Sequence, residues 1–268
     1  MNKTALITGA SSGIGRALAE ELAAKSYDLI LVARRADALG ELSSELSSKY
    51  NIEVRYFARD LSQLEEVDAL ARDVERTTPR VYALVNNAGA GLYGPLQELQ
   101  DRDVVSIITL NFVAPILLTK KLLPKLVEAR GCIVNVVSLA AHTPIPWFGI
   151  YTSTKAALAN FTDALRIELK PIGVRVIGVY PGYVQTNFHK NTIVAPSAAK
   201  QREGPRGPVL DPRAVAKDIA RAIDDPEFNG DIVTGLAYKL FGALARPLYP
   251  LTKIYVDRWF RSKLSGRK

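Results

Sequence analysis

Short apolar runs and amphipathic stretches alternate along the first 180 residues of the chain. The apolar runs predict strands at 3–8, 29–32, 54–58, 81–85, 132–137 and 175–179. Between them apolar residues recur at helical spacing, which predicts helices at 14–25, 36–49, 63–76, 101–128 and 151–170. Strands that alternate with helices form βαβ units, and strands that are apolar throughout favour a sheet covered by helices on both faces. The pattern predicts an α/β fold with a doubly wound parallel sheet.

The chain after residue 180 is less regular. A helix is predicted at 212–224, and a last short strand at 231–234. The segment 190–212 is rich in proline, glycine and charge and follows a strand end, which predicts a mobile substrate loop. We find no internal repeat and no inter-domain linker, so a single domain over 1–235 is expected.

The final segment, 236–268, differs from the domain before it. After Pro247 and Pro250, apolar and basic residues recur at roughly helical spacing. The apolar set is Leu251, Ile254, Tyr255, Trp259, Phe260 and Leu264, and the basic set is Lys253, Arg258, Arg261, Lys263, Arg267 and Lys268. This predicts a basic amphipathic helical extension. Such a helix either lies on an anionic membrane surface or packs on protein, at the substrate mouth or on a neighbouring subunit. Both alternatives stay open.

Composition excludes several classes of protein. Hydrophobic residues make up 48% and charged residues 23% of the 268 residues, as in a globular chain with a sizeable core. The formal net charge is +8, but the body of the chain has no basic run with interleaved aromatic residues, so no nucleic-acid binding is expected. The two histidines, His142 and His189, form no metal-ligand pattern, and no metal site is expected.

The single cysteine, Cys132, lies in a predicted strand and is expected to be a buried thiol. One cysteine forms no intramolecular disulfide, which fits a reducing compartment. No secretory leader is visible, and no stretch reaches the roughly 18 uninterrupted apolar residues of a membrane span. We expect a cytoplasmic protein that the tail could bring to a membrane surface.

A glycine-rich turn separates the first strand from the first helix. Gly9 permits a tight turn, Gly13 lets the backbone approach a pyrophosphate, and Gly15 lets the helix pack closely on the strand. The free N–H groups at the helix start then face an anion. A glycine turn at this place predicts a dinucleotide site.

The turn and several later motifs resemble those of the short-chain dehydrogenase/reductase family. The matching residues, in chain order, are the TGASSGIG turn at 8–15, Asn86-Asn87-Ala88-Gly89, Asn111, Ser138, Tyr151 with Lys155, and Pro181-Gly182. The resemblance covers roughly residues 3–190. It implies one Rossmann-type domain that transfers a hydride between a nicotinamide and a carbonyl or alcohol carbon.

The end of the second predicted strand indicates which nicotinamide is bound. An NAD enzyme of this type usually has an acidic residue there, bonded to the ribose 2′-hydroxyl. This chain has Arg34 and Arg35 instead, and a guanidinium pairs with phosphate, which favours NADP(H). Arg34 is the better candidate, since Arg35 could point away.

The resemblance also implies contacts from Asp60 and Leu61 to the adenine, and from Asn87, Ala88 and Gly89 to the central part of the cofactor. The full set of predicted cofactor residues is Gly9, Ser11, Ser12, Gly13, Ile14, Gly15, Arg34, Arg35, Asp60, Leu61, Asn87, Ala88, Gly89, Tyr151, Lys155, Pro181, Gly182, Val184 and Thr186.

Tyr151 and Lys155 stand four residues apart on a predicted helix and so share a face. A nearby ammonium stabilises a phenolate and lowers the tyrosine pKa, which makes the pair a usable general acid and base. The resemblance implies that Ser138 bonds the substrate oxygen and that Asn111 holds a water linked to the lysine. A nucleotide-binding regulator or scaffold without turnover is the alternative, but it need not keep Ser138, Tyr151 and Lys155 together.

Two further expectations concern partners. The residues at 139–150 are mostly apolar and, with Tyr183 and Phe188, suggest a small apolar or amphipathic substrate. The helices at 101–128 and 151–170 carry apolar residues beyond one stripe, which predicts a homodimer or homotetramer.

Overall fold

The computed structural model describes residues 2–201, 208–245 and 247–265. Its strands are β1 (Thr4–Thr8), β2 (Asp28–Ala33), β3 (Val54–Ala58), β4 (Ala83–Asn86), β5 (Leu92–Tyr93), β6 (Cys132–Val136), β7 (Arg175–Val179), β8 (Ile193–Val194) and β9 (Asp231–Ile232). Seven of them pair in parallel in the order β3-β2-β1-β4-β6-β7-β9. This order, which reverses between β1 and β4, is that of a Rossmann-type sheet.

Helices cover both faces of the sheet. They are α1 (Gly13–Ala23), α2 (Ala36–Tyr50), α3 (Leu64–Thr77), α4 (Asp101–Ile108), α5 (Ala114–Glu128), α6 (Gly149–Leu169), α7 (Pro212–Asp224), α8 (Leu236–Ala245) and α9 (Tyr249–Ser265). Along β1, Ala5 and Ile7 pack in a core with α1, α2 and α7, whereas Leu6 packs in a second core with α3, α5 and α6. This alternation requires strands that are apolar on both faces. It confirms the predicted doubly wound α/β fold. Helices α8 and α9 form the predicted C-terminal helical extension.

The helix predicted at 101–128 is present over its full length, but its middle is not α-helical. A π-helical turn at Thr109–Val113 separates α4 from α5. An α-helix would need a hydrogen bond from the N–H of residue 115 to the carbonyl of Asn111, and Pro115 has no N–H. The Asn111 side chain also bonds the backbone of Ala90. The helix therefore widens here by one residue into a π turn. The segment 101–128 is long and apolar enough to cross a membrane, a property that core helices share, and Leu118 and Leu122 of α5 are buried in the second core.

Part of the predicted loop at 190–212 is regular. Strand β8 pairs in parallel with β5, and a 3-10 helix follows at Pro196–Gln201, with Ala198 fully buried. The Ser197 hydroxyl donates to Glu98 across 2.7 Å. Residues 193–201 are therefore more regular than the sequence indicated, and 202–207 lies outside the described residues. The mobile substrate loop stays a prediction. Strands β5 and β8 were not predicted, since a two-residue strand has no periodicity.

The tail forms two helices, α8 and α9, and one aromatic residue of each helix contacts the domain. The Tyr238 hydroxyl of α8 accepts from the Tyr183 N–H at 3.1 Å and donates to the Pro208 carbonyl at 2.6 Å. Phe260 of α9 packs edge-on against Trp147, with ring centroids 5.4 Å apart. Arg267 and Lys268 lie outside the described residues, as do the side chains of Lys263 and Leu264.

Candidate active site

A cavity of about 650 Å³ opens at the carboxyl ends of the strands and extends across the point where the strand order reverses. Open α/β sheets bind their ligands at this point. The predicted residues that line it are Gly9, Ser11, Ser12, Gly13, Ile14, Arg34, Arg35, Asp60, Leu61, Asn87, Ala88, Gly89, Ser138, Tyr151, Lys155, Pro181, Gly182, Val184 and Thr186. Gly15 and Asn111 do not line the cavity and lie behind it.

The backbone of the glycine turn requires glycine, as Gly9 and Gly15 illustrate. Gly9 has φ +68°, and a Cβ there would lie 2.8 Å from Nδ2 of Asn87. A Cβ on Gly15 would collide with the carbonyl oxygen of Gly9, so α1 could not start so close to β1. The first turn of α1 carries no acidic residue, which leaves its positive end available to an anion. The turn therefore fits the pyrophosphate of a dinucleotide.

Thr8 at the end of β1 holds this turn against the loop after β4. Its hydroxyl donates to the Val85 carbonyl at 3.1 Å and accepts from the N–H groups of Asn87 and Ala88, each at 3.0 Å. The Asn87 side chain donates back to the Thr8 carbonyl at 2.8 Å. The sequence prediction missed Thr8, although its place directly before the glycine turn was a usable signal.

Both arginines after β2 line the cavity. The Arg35 guanidinium donates to the carbonyl of Ser11 at 3.0 Å and to its hydroxyl at 3.2 Å, so Arg35 does not point away from the glycine turn. Arg34 is exposed beside it. Asp60, after β3, accepts from the N–H and hydroxyl of Ser62 and shapes its own turn. Arg59 also lines the cavity, but Glu66 and Asp73 engage its guanidinium.

Helix α6 and the end of β6 bring Ser138, Tyr151 and Lys155 together. Ser138 lies beside Tyr151, and its hydroxyl accepts from the Ala140 N–H at 3.1 Å. Tyr151 and Lys155 are buried, with the lysine Nζ 5.9 Å from the centroid of the tyrosine ring. Lys155 Nζ donates to the Val136 carbonyl at 2.8 Å. That bond fixes the ammonium on the cavity wall.

The electrostatics of this group differ from the expectation. Burial raises the pKa of Tyr151 to about 12, and the hydrogen bond from Ser138 only partly opposes this. Burial also lowers the pKa of Lys155 to about 8. The lysine therefore does not bring the tyrosine pKa below its ordinary value here, because desolvation penalises both charged forms.

The Asn111 side chain is engaged by the protein itself. Its Oδ1 accepts from the Ala90 N–H at 3.0 Å, and its Nδ2 donates to the Ala90 carbonyl at 2.9 Å and to the Thr154 hydroxyl at 3.2 Å. Gly89 lies next to it, where a Cβ would be 3.2 Å from Asn111 Oδ1 and 3.5 Å from Lys155 Nζ. These contacts position the loop after β4 against α6, and the predicted water-holding role stays a prediction.

Aromatic side chains surround the buried end of the cavity. Phe148 stacks on Tyr151 with centroids 4.4 Å apart, and Phe188 contacts the same ring at 5.3 Å. His189 also lines the cavity and stacks on Tyr183 at 4.4 Å, whereas His142 is not among the lining residues. No group of three or more potential metal ligands occurs in the described part of the chain. This end of the cavity is suited to an apolar group.

Tyr238 is a lining residue that the sequence prediction did not assign to the site. Its ring covers Gly182 so closely that a Cβ on that glycine would overlap the ring. The tyrosine lies in the tail, 55 residues after its bonding partner Tyr183, and no motif marks it.

A sequence model for a protein family, described as short chain dehydrogenase, matches residues 3–195. This protein belongs to the short-chain dehydrogenase/reductase family. The family assignment confirms the resemblance drawn from the glycine turn and from Tyr151 with Lys155. As a family member it is an oxidoreductase that uses a nicotinamide cofactor, and the alternative of a regulator without turnover is not favoured.

Individual relatives agree with the family assignment. The chain is 38% identical to an NADP-dependent 3-hydroxy acid dehydrogenase of Schizosaccharomyces pombe over 69% of this chain and 73% of the relative. A short-chain dehydrogenase structure from Streptomyces avermitilis has a TM-score of 0.80 and 30% identity, covering 100% of this chain and 99% of that chain. A short-chain dehydrogenase from Sphingobium yanoikuyae in complex with NADPH has a TM-score of 0.77 and 28% identity, covering 94% of this chain and 95% of that chain.

The buried lysine of this dehydrogenase predicts a measurable cost in stability. Because the pKa of Lys155 is lowered from 10.5 to about 8, the unfolded chain binds more protons between these pH values. Stability of the cofactor-free protein should therefore rise with pH across this window. Lys155→Met should abolish this rise and increase the free energy of unfolding at pH 7 by on the order of 1–3 kcal/mol. Urea denaturation at a series of pH values measures both effects.

Lys170→Met is the matched control, since Lys170 is exposed just after α6. This substitution should change neither the rise of stability with pH nor the free energy of unfolding at pH 7. A Lys155→Met protein that is less stable at pH 7, with the wild-type slope above pH 8, would show that Lys155 is not destabilising.

Proposed function

We propose that the protein uses NADPH to reduce the carbonyl group of a small apolar or amphipathic molecule, and in reverse oxidises the secondary alcohol with NADP⁺. One observation carries the proposal: Ser138 and Tyr151 meet in the aromatic end of the same cavity that Arg34 and Arg35 line. The NADPH complex of the Sphingobium yanoikuyae relative and the NADP-dependent Schizosaccharomyces pombe relative support the choice of cofactor.

The choice of NADP(H) rests on charge at the end of β2. The side chains there are two guanidinium groups, and guanidinium binds phosphate through paired hydrogen bonds. Arg35 is already oriented by Ser11, so it meets a 2′-phosphate with little loss of side-chain freedom. We propose that the glycine turn binds the pyrophosphate and that the other predicted cofactor residues keep the roles given by the family resemblance.

The chain's own residues supply the proton chemistry. A bound nicotinamide supplies or accepts the hydride. The Tyr151 hydroxyl, protonated at neutral pH because its pKa is about 12, donates its proton to the carbonyl oxygen during reduction. Ser138 donates a hydrogen bond to the same oxygen and holds it near Tyr151. Lys155, fixed by the Val136 carbonyl, directs its remaining N–H groups into the cavity and stabilises the tyrosinate that proton transfer leaves.

The surroundings of Tyr151 favour an apolar substrate. Ile145, Phe148 and Phe188 line the cavity on the side of the reacting hydroxyl. They exclude water there, which strengthens every hydrogen bond to the substrate oxygen. We propose a ketone or aldehyde whose chain or ring packs on these side chains.

We also propose the organisation and partners of the protein. The proposed catalytic domain is 1–235, and the proposed tail is 236–268. The buried free thiol of Cys132 is consistent with a reducing compartment such as the cytoplasm. A homodimer or homotetramer is supported by exposed apolar residues on α4 and α6, notably Val105 and Ile167, and by the small exposed Ala164.

Removing the hydroxyl of Tyr151 tests the mechanism. Tyr151→Phe keeps the ring and its packing, so NADPH binding should be nearly unchanged while kcat falls by roughly 10²–10⁴-fold. Kinetics with a panel of apolar ketones and calorimetric titration with NADPH give both numbers. Tyr56→Phe, an exposed tyrosine on β3, is the control. Near-normal kcat in Tyr151→Phe would disprove the assigned acid.

Removing each guanidinium tests the cofactor preference. Arg34→Ala and Arg35→Ala should each weaken NADPH binding by about 1.5–3 kcal/mol, the value of a charged hydrogen bond, and leave NADH binding almost unchanged. Fluorescence titration with both nucleotides measures the difference. Arg102→Ala removes an exposed guanidinium on α4 and should have no effect. Equal affinity of the wild type for NADPH and NADH would contradict the assignment.

A charge placed on α6 tests the oligomer. Ala164→Arg puts a cation on the exposed face of the helix and should separate the subunits, lowering the mass measured by light scattering at micromolar concentration. Glu41→Arg on the exposed side of α2 should keep the wild-type mass. A wild-type protein that is a stable monomer would refute the proposed association.

A further inference from the structure

The two tail helices leave one face without a partner in the described structure. On α8, Leu236, Leu240 and Leu244 follow each other at four-residue spacing and are 76%, 59% and 53% exposed. On α9, Leu251, Ile254 and Tyr255 share a side and are also exposed. We name these six residues the apolar tail face. With Leu248 and Tyr249 between them, the tail holds eight of the seventeen exposed large apolar side chains of the described chain.

The opposite side of the tail is already occupied. Tyr238 bonds the backbone of Tyr183 and Pro208, and Phe260 packs on Trp147. These contacts attach the helices to the loops around the cavity. The helices therefore do not need the apolar tail face to pack on their own domain, and that face is available to another partner.

Charge indicates what kind of partner this is. Residues 236–268 contain eight basic residues and one acidic residue, so the tail carries +7 of the chain's net charge of +8. The remaining 235 residues are almost neutral. Lys239, Lys253 and Arg258 are exposed on the same two helices, and the one carboxylate, Asp257, is paired with Arg261 at 3.0 Å. The apolar tail face lies beside these positive charges. It therefore complements a surface that is both apolar and negatively charged.

We propose that the apolar tail face docks in the plane of a lipid bilayer that contains anionic headgroups. Leucine and tyrosine side chains enter the headgroup and acyl boundary, and the basic side chains contact the lipid phosphates. A second copy of the tail would place +7 against +7 and is therefore disfavoured. Neither helix crosses the bilayer, since α8 has 10 residues and α9 has 17, with charged residues inside α9.

Docking would also affect the reaction, and this consequence rests on the proposed function. Tyr238 lines the cavity, and Trp147 precedes Phe148, which stacks on Tyr151. The docked helices thus hold the rim of the cavity close to the lipid. A position beside the bilayer fits the aromatic lining of the cavity, since an apolar ketone concentrates in lipid.

Co-sedimentation of the full-length protein with vesicles tests the docking. The protein should bind vesicles of phosphatidylglycerol mixed with phosphatidylcholine, bind pure phosphatidylcholine far more weakly, and be released by salt, which screens the basic residues. Leu240→Ser combined with Leu251→Ser should weaken binding by at least about tenfold. Lys239→Gln and Arg258→Gln should each weaken it by about fivefold.

Leu96→Ser is the matched control, because Leu96 is 74% exposed but lies outside the tail. Tyr151→Phe should still bind vesicles, so a failure of the catalytic proposal is distinguishable from a failure of docking. Equal sedimentation of the wild type and of the double leucine variant would overturn the proposal. A loss of subunit mass in the double variant without vesicles would also overturn it, since a second copy would then cover the face.

Discussion

The hydroxyl of Thr8 connects the two strands between which the sheet reverses its order. It bonds one carbonyl within β4 and two N–H groups directly after that strand, and so fixes the distance between the glycine turn and the loop of Asn87 and Ala88. A hydroxyl is well suited to this, since it donates once and accepts twice. The cavity opens between these two loops, so the geometry of the proposed cofactor and substrate sites depends on this small group.

The site also places two titratable side chains in unfavourable surroundings. Lys155 and Tyr151 lie in surroundings that disfavour their charged forms, and within the described chain the lysine is bonded to a carbonyl rather than to a carboxylate. A carboxylate there would hold the ammonium more stably, but it would compete with a ribose and a substrate oxygen for the same donors. The domain tolerates this arrangement because two continuous apolar cores stabilise the sheet on both sides.

The features that the sequence predicted correctly depend on residues close together in the chain. Strands buried on both faces, helices with one apolar side and the motifs around Gly9 and Tyr151 were all readable, since each depends on neighbouring residues. The π-helical turn at Asn111 was not, because a bond to Ala90, 21 residues away, stabilises it. The β5–β8 pair, the direction of Arg35 and the place of Tyr238 likewise depend on tertiary contacts between distant parts of the chain.

The contact between Tyr238 and Gly182 has a practical consequence for chimeric proteins. A tail exchanged between relatives at residue 235, where the predicted domain ends, would remove the ring that covers Gly182 and the hydroxyl that joins Tyr183 to Pro208. The recipient would then lose part of its cavity wall together with the tail. A junction placed after Tyr238 keeps that wall native and transfers only the outer helices, so the properties of the graft could be separated from those of the catalytic pocket.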